Sequence, residues 1–283
     1  MYSDCHDRPL DKSGDESRGK FTLDEVTELG QSNCEELVRP CDIKGILHSH
    51  SRWTDGAHSL ESMVSIAREI GLEYMGISDH FLSENHQEGL DLSAAKIQRT
   101  EVERLLEKNP DFDMLQGIEV DVNADGSLPV DNDTLDFFDF VIAAFPENGG
   151  NDREQLLEQA IRAASHPKVT ILGTPVGDFM LRGCDDSADM EKVLVAAAAG
   201  GTAVEINANP SCKELDWTCC HMARELGVYL AISPNAHRAA RLVDFRHGAE
   251  LAQAAGMTCG SILNTMSCDQ LRHHLANGFN KSN

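Results

Sequence analysis

The feature that most constrains this chain is a repeated alternation between short apolar runs and longer amphipathic segments, which begins near Asp42. Such alternation is typical of βα units that build a parallel sheet. The apolar runs are Ile43–His50, Tyr74–Ser78, Met114–Val120, Phe138–Phe145, Val169–Leu172, Thr202–Asn207 and Val228–Ser233. The helix-like segments are Ser59–Ile70, Ser93–Lys108, Asp152–Ala164, Ala188–Ala199, Asp216–Leu226, Leu242–Ala255 and Cys268–Asn277. The sequence therefore predicts an α/β fold, with a closed TIM-like barrel favoured and an open parallel sheet as the alternative.

The first 40 residues lack this periodicity. Ser, Asp, Gly and Glu dominate the first 20 residues, which predicts disorder, whereas Phe21–Val38 has some helical character. We therefore expect residues 1–40 to be an acidic, disordered or partly helical segment and residues 41–283 to form the barrel domain. The length of 283 residues suits this division, because α/β barrels of about 250 residues fold as one domain.

Charge and composition narrow the classes of partner. The net charge of −23 argues against a broad nucleic-acid interface, although a few cations beside a site would still bind a small phosphorylated substrate. The sequence contains no apolar run long enough to span a bilayer, and its polar N-terminus does not resemble a signal peptide. Nine cysteines without a Cys-x-x-Cys pair indicate reduced thiols and a cytoplasmic protein. The oligomeric state stays open.

His48 and His50 lie two residues apart at the end of the first predicted strand, so both side chains point to one face. Asp55 follows after a short turn and adds a carboxylate. Imidazole and carboxylate are common metal ligands, and the alternative is a half-buried strand whose histidines only form hydrogen bonds.

Other strand ends carry similar residues, which favours the metal site. His80 ends the second run, Glu119 lies at the end of the third, and Asn235 and His237 follow the last. In a parallel barrel these ends meet at one face, where active sites are built. Asp79 either orients one of these ligands or is a hydrogen-bonded acid at a strand end.

The strand-end motifs resemble those of the PHP (polymerase and histidinol phosphatase) superfamily. The similarity covers roughly Asp42–Phe279, and the approach Leu37–Gly45 resembles the linker before the C-terminal PHP domain of bacterial family X DNA polymerases. The motifs, in family order, are His48-Ser-His50…Trp53-Thr-Asp55-Gly56, Gly76-Ile-Ser-Asp79-His80, Gly117-Ile-Glu119-Val-Asp121, Glu205-Ile-Asn207-Ala-Asn209-Pro210 and Asn235-Ala-His237. The resemblance implies a distorted (β/α)7 barrel, up to three zinc or manganese ions, and phosphoester hydrolysis by metal-activated water.

Carried over by position, the resemblance retains six metal ligands and loses three. The retained ligands are His48, His50, Asp55, His80, Glu119 and His237. Two family histidines fall on Pro146 and Thr174, and a family aspartate falls on Asn235, which is a weaker ligand.

These losses imply a reduced metal set of one or two ions. One ion keeps only Glu119 and is expected to be absent. A second uses His48, His50 and Glu119 with Asn235 as a weak partner. A third uses Asp55, His80 and His237.

Two hypotheses follow for the function. The first is a metal-dependent phosphoesterase acting on a phosphate monoester or a nucleotide, with Lys213 and Arg238 as weak candidates for binding the phosphate. The second is a catalytically inactive PHP-like domain that keeps a metal site and acts as a binding module. The missing ligands favour the second hypothesis, and the six retained ligands favour the first.

Overall fold

The structure is a computed structural model, and it describes residues 37–145, 153–173, 187–210 and 217–277. Most of the predicted N-terminal segment lies outside the described residues, as do Pro146, Thr174 and Lys213. Among the residues described, no helix is long and apolar enough to cross a membrane.

All paired strands run parallel, and they form two sheets. The first sheet has the order β1-β2-β3, and the second has the order β4-β5-β6-β7-β8. The strands are β1 (Gly45–Ile46), β2 (Tyr74–Ile77), β3 (Asp113–Gln116), β4 (Ile118–Asp121), β5 (Val141–Ala144), β6 (Ile171–Leu172), β7 (Ala203–Asn207) and β8 (Leu230–Ser233). Each predicted apolar run contains a strand, so the α/β fold with parallel sheets is confirmed.

Isolated bridges join the two sheets on both sides. Ser49, beyond β1, forms a parallel bridge with Ala236, beyond β8, and His80 forms one with Glu119. The run Met114–Val120 was expected to be a single strand, and the structure instead divides it at Gly117. Glu119 is consequently fixed beside His80, because its backbone N–H donates to the carbonyl of Asp79.

The helices follow the strands in alternation. They are α1 (Leu60–Glu69), α2 (Leu92–Lys108), α3 (Asn132–Leu135), α4 (Arg153–Ala164), α5 (Ser187–Gly200), α6 (Trp217–Glu225), α7 (Phe245–Ala254) and α8 (Cys268–Asn277). Short 3₁₀ turns span Pro40–Asp42, Ala239–Asp244, Cys259–Ser261 and Leu263–Thr265. Ser59 and Asp91 cap α1 and α2 by accepting hydrogen bonds from the backbone of the first turn.

The strands are buried on both faces. One apolar cluster takes single residues from successive strands, and it contains Tyr74, Leu115, Ile142, Ile171, Ala203 and Ala231. A second cluster packs other strand residues, including Met75 and Val204, against the helices. This two-sided burial is characteristic of parallel sheets that are covered by helices, and it leaves the strand ends to carry polar side chains.

Gly117 lies at the division between β3 and β4, where a side chain would overlap the ring of Phe140. We expect Gly117→Ala to destabilise the protein by about 1–3 kcal/mol, as overpacking of a core does. Gly260→Ala is the matched control, because its nearest neighbouring atom, Thr258 Oγ1, would be 3.9 Å from the added carbon. The free energy of unfolding in urea measures both effects. Equal unfolding midpoints for the two variants would contradict the prediction.

Candidate metal centre

The six predicted ligands meet at the carboxyl ends of the strands. His48 and His50 follow β1, His80 follows β2, and Glu119 lies within β4. Asn235 and His237 follow β8, and Asp55 lies in the turn after His50. The histidines after β1 and β2 are buried, whereas the Asp55 side chain is 43% exposed, so the cluster opens to solvent at that carboxylate.

Two carboxylates organise the imidazoles. The Oε2 atom of Glu119 lies 3.3 Å from His48 Nε2, 3.3 Å from His50 Nε2 and 3.2 Å from His80 Nδ1. The Asp55 carboxylate lies 3.0 Å from His237 Nε2, 3.5 Å from His80 Nε2 and 3.8 Å from His50 Nδ1. Two overlapping groups result that could each hold a metal ion: His50, Asp55, His80 and His237, and separately His48, His50 and Glu119.

Unsatisfied buried atoms indicate that this cluster fits a divalent cation. His48 Nε2, His50 Nδ1 and Glu119 Oε2 are buried, and none forms a hydrogen bond with another described residue. Leaving such an atom unpaired costs about 1–3 kcal/mol. Imidazole nitrogen and carboxylate oxygen are the donors that zinc and manganese take in proteins. The residues present therefore fit the metal ion that the strand-end pattern implies.

The electrostatics keep the two carboxylates ionised. Burial acts to raise the pKa of Glu119, but the charges of His80 and His48 outweigh it and hold the pKa of Glu119 well below its usual value. The pKa of Asp55 is lowered in the same way: burial opposes the shift, and hydrogen bonds from His237 and His80 dominate it. Burial and then the neighbouring His237 and His80 lower the pKa of His50, so that this imidazole is neutral.

His48 differs from His50 because a further carboxylate faces it. Its Nδ1 lies 2.5 Å from the Oε2 of Glu205, which is buried at β7. Burial acts to lower the pKa of His48, but Glu205 and Glu119 together raise it to about 10. Sequence reasoning placed Glu205 in a strand-end motif without assigning it a role, because the pairing of residues 157 positions apart depends on the fold.

His86 is a second residue that the sequence did not single out. Its ring stacks on that of His80, with the ring centroids 3.5 Å apart, and its Nε2 lies 3.7 Å from Asp121 Oδ1. Asp121 also accepts hydrogen bonds from Ser83 and Asn85, so the loop after β2 is fastened to the end of β4. The loop thus packs a histidine against one side of the candidate ligand His80.

Asp79 is buried and supports the turn that carries Asp55. It accepts hydrogen bonds from the backbone N–H and the hydroxyl of Ser51, from Thr54 Oγ1 and from Gln98 Nε2, each at 2.6–2.7 Å. Burial raises the pKa of Asp79, and these four donors oppose the rise. Asp79 therefore holds the Ser51–Thr54 turn, which immediately precedes the candidate ligand Asp55.

We expect Asp79→Asn to weaken zinc binding about 10-fold, because an amide cannot accept all four hydrogen bonds and the turn before Asp55 loosens. Isothermal titration with zinc measures the affinity. Asn132→Asp, an exposed change at the start of α3, serves as the control and should bind zinc like the wild type. An unchanged zinc affinity in Asp79→Asn would show that the turn is held by other contacts.

Two cations, Arg238 and Lys213, are the candidates for binding a phosphate group. Arg238 is exposed beside His237, and Lys213 lies outside the described residues. Arg52 donates to the carbonyl of Ala57, and Arg241 donates to Asn209 Oδ1 and pairs with Asp244. Of these, Arg238 is the described cation adjacent in sequence to a candidate metal ligand.

The chain is similar to three kinds of known protein. It is 32% identical over 248 residues to the DNA polymerase/3'-5' exonuclease PolX of Bacillus subtilis (strain 168), covering 86% of this chain and 44% of that protein. It thus spans less than half of that relative. It is 26% identical over 236 residues to a probable phosphatase of Thermoanaerobacter sp. (strain X514), covering 79% of this chain and 91% of the relative. No protein-family model matches the chain.

Among solved structures, the fold is similar to that of the histidinol phosphate phosphatase from Lactococcus lactis, solved with zinc, L-histidinol and phosphate. The TM-score is 0.60 at 18% identity, and the alignment covers 76% of this chain and 94% of that one. At this identity, the similarity establishes the fold alone.

Proposed function

Because the chain carries a domain of the PHP superfamily, we propose that it is a metal-dependent phosphoesterase that hydrolyses a small phosphate monoester or a nucleotide. The observation that carries the proposal is the convergence of four histidines and two ionised carboxylates at the strand ends. The phosphatase relatives support the reaction class, and the net charge of −23 favours a small substrate over a long nucleic acid.

The proposal includes a closed, distorted (β/α)7 barrel as the scaffold. The bridge between Ser49 and Ala236 supports closure, because it joins the first strand end to the last. The bridge between His80, which follows β2, and Glu119, which lies in β4, also supports closure, because it joins the first sheet to the second. Counting β3 and β4 as one interrupted strand leaves seven strands, and the apolar cluster that takes residues from successive strands would fill the interior.

We propose a set of one or two zinc or manganese ions. Substitution of two family histidines by Pro146 and Thr174 supports this reduction, because proline has no donor in its side chain and threonine is a poor zinc ligand. His50, Asp55, His80 and His237 would hold one ion, and His48, His50 and Glu119 form the second candidate group. A bound ion supplies Lewis acidity, which acidifies water and stabilises charge on a phosphoryl group.

The chain's own residues position the ligands and bind the substrate. Asp55 and Glu119 keep the histidines in place and offset the positive charge of an ion. Glu205 orients His48, and Asp79 holds the turn that carries Asp55. Arg238 would bind the substrate phosphate at the open side of the cluster, where Asp55 is exposed, and Lys213 stays a candidate from the sequence alone.

The alternative is an inactive domain that keeps a metal ion and binds a partner. A panel assay of phosphate release separates the two, using histidinol phosphate, a nucleoside monophosphate and a single-stranded oligonucleotide with zinc or manganese. We expect release from at least one small phosphate ester and slower degradation of the oligonucleotide. Failure of every substrate, with a correctly folded and metal-loaded protein, would support the binding module.

A further inference from the structure

Helix α2 carries a fully buried glutamine on the face that packs against the strands. The buried residues of this helix are Ala95, Gln98, Val102 and Leu105, which recur at the helical spacing of three and four residues. Apolar residues are expected throughout such a stripe, yet the helix buries Gln98 completely and leaves the adjacent Ile97 63% exposed. Burial of a polar amide in a core stripe is unfavourable unless its hydrogen bonds are made, so Gln98 requires an explanation beyond packing.

Hydrogen bonds fix the orientation of the Gln98 amide. In β3, Gln116 Nε2 donates to the carbonyl of Ala95 at 2.9 Å and to Gln98 Oε1 at 2.7 Å. Because a carbonyl oxygen can only accept, the nitrogen of Gln116 must face Ala95, and its other N–H meets the oxygen of Gln98. Gln98 Nε2 consequently faces Asp79 Oδ2, to which it donates at 2.7 Å. The strand β3 thus determines which atom Gln98 presents to Asp79.

Gln98 is the donor that ties the Asp79 carboxylate to a helix. The other three donors to this carboxylate are the backbone N–H and hydroxyl of Ser51 and the hydroxyl of Thr54, which all belong to one turn. A carboxylate bound by that turn alone could move together with it. Since Gln98 lies in the packed face of α2, its hydrogen bond holds the carboxylate, and with it the Ser51–Thr54 turn, against the body of the domain.

Helix α2 contacts the same turn a second time. Trp53, inside the turn, donates from Nε1 to Glu101 Oε2 at 2.9 Å. Glu101 lies three residues after Gln98 and therefore projects from the next turn of the same helix face. Two side chains of α2 are thus connected to the segment that directly precedes Asp55.

We infer that Gln98 is a positioning residue for Asp55: through Asp79 it holds the turn that presents this carboxylate to a metal ion, an inference that rests on the proposed metal-dependent function. The Asp55 side chain is 43% exposed, so burial does little to fix its position. Its carboxylate nevertheless lies within 3.8 Å of three imidazoles of the cluster. A displaced turn would therefore alter the geometry of the site without any change in a ligand.

The test compares Gln98→Met with Leu105→Ala, two substitutions on the buried face of α2. Methionine has nearly the shape of glutamine but cannot donate to Asp79, whereas Leu105→Ala removes packing and leaves the hydrogen bonds of Gln98 in place. We expect Gln98→Met to weaken zinc binding about 10-fold in isothermal titration, as the loss of a group that supports a metal ligand does. Leu105→Ala should lower Tm and bind zinc with wild-type affinity.

Trp53 reports on the turn directly and needs no metal ion. The chain has two tryptophans, so a Trp217→Phe background leaves Trp53 as the single emitting indole. In the zinc-free protein, we expect Gln98→Met to increase the quenching of Trp53 fluorescence by acrylamide, because the loosened turn exposes the ring. Leu105→Ala should leave the quenching unchanged, since α2 keeps both of its contacts with the turn.

A second variant is used in case the first does not fold, as judged by circular dichroism. Gln98→Glu still accepts from Gln116 but offers Asp79 no amide donor, so it should reproduce both effects. Wild-type zinc affinity and wild-type Trp53 quenching in a folded Gln98 variant, or equal changes in Leu105→Ala, would overturn the inference. A wild type that binds no zinc or manganese would overturn the proposed function, and the quenching of Trp53 in the metal-free proteins would still confirm or refute the role of Gln98.

Discussion

Replacing His80 with alanine is expected to lower kcat/KM for a phosphate monoester at least 1000-fold. His80 faces both carboxylates, with Nε2 3.5 Å from Asp55 and Nδ1 3.2 Å from Glu119. Its loss removes one donor from the candidate site and leaves the two carboxylates with less compensating charge. A Lewis-acid site contributes several kcal/mol to transition-state stabilisation, and about 4 kcal/mol corresponds to the expected factor.

The matched control is His221→Ala. His221 lies on α6, where its ring contacts Arg224, and it belongs to neither candidate metal group. We expect its kcat/KM to stay within about twofold of the wild type, because this half-buried imidazole lies outside both candidate metal groups. Equal activity in the two histidine variants would show that turnover does not depend on the strand-end cluster.

Removal of the metal ion is expected to lower the free energy of unfolding by at least as much as Gly117→Ala does. The cluster brings His50 close to two other imidazoles, with ring centroids 4.5 Å from His80 and 4.1 Å from His237. An ion that binds these nitrogens in the folded state alone stabilises it by about 4 kcal/mol at a free concentration 1000 times its dissociation constant. For a domain of this size, we expect a rise in Tm of about 10 °C.

Thermal unfolding of the chelated protein, with and without added zinc, measures this stabilisation. His80→Ala should lose most of the rise in Tm, and His221→Ala should keep it. A zinc-induced rise that is the same in His80→Ala would place the stabilising ion elsewhere in the chain and would refute this part of the account.

The arrangement of the strands and most of the cluster followed from local patterns in the sequence. The spacing of His48 and His50 places both at one strand end, and Asp79-His80 and Glu119 end later apolar runs. The helix start at Ser59 followed from capping preferences, whereas the second helix was expected to begin at Ser93 and is capped by Asp91 instead. These features depend on residues near each other in the chain, so periodicity and turn chemistry are sufficient to predict them.

The remaining features depend on contacts between distant segments. The third strand is interrupted at Gly117, which lies so close to Phe140 that a side chain there would overlap its ring, and no periodicity records this contact. The contact between Glu205 and His48 requires β7 to lie at a particular register beside the cluster. Likewise, Asn235 was expected to be a weakened metal ligand, and only the direction of its side chain points to a hydrogen bond with His50.

Metal content and phosphate release should be measured on the same purified sample of the protein, before and after chelation. We expect bound zinc or manganese, turnover of at least one small phosphate ester, loss of both on chelation, and recovery of both when the ion is restored. Bound metal with no turnover of any phosphate ester would contradict the phosphoesterase and leave a metal-stabilised binding domain.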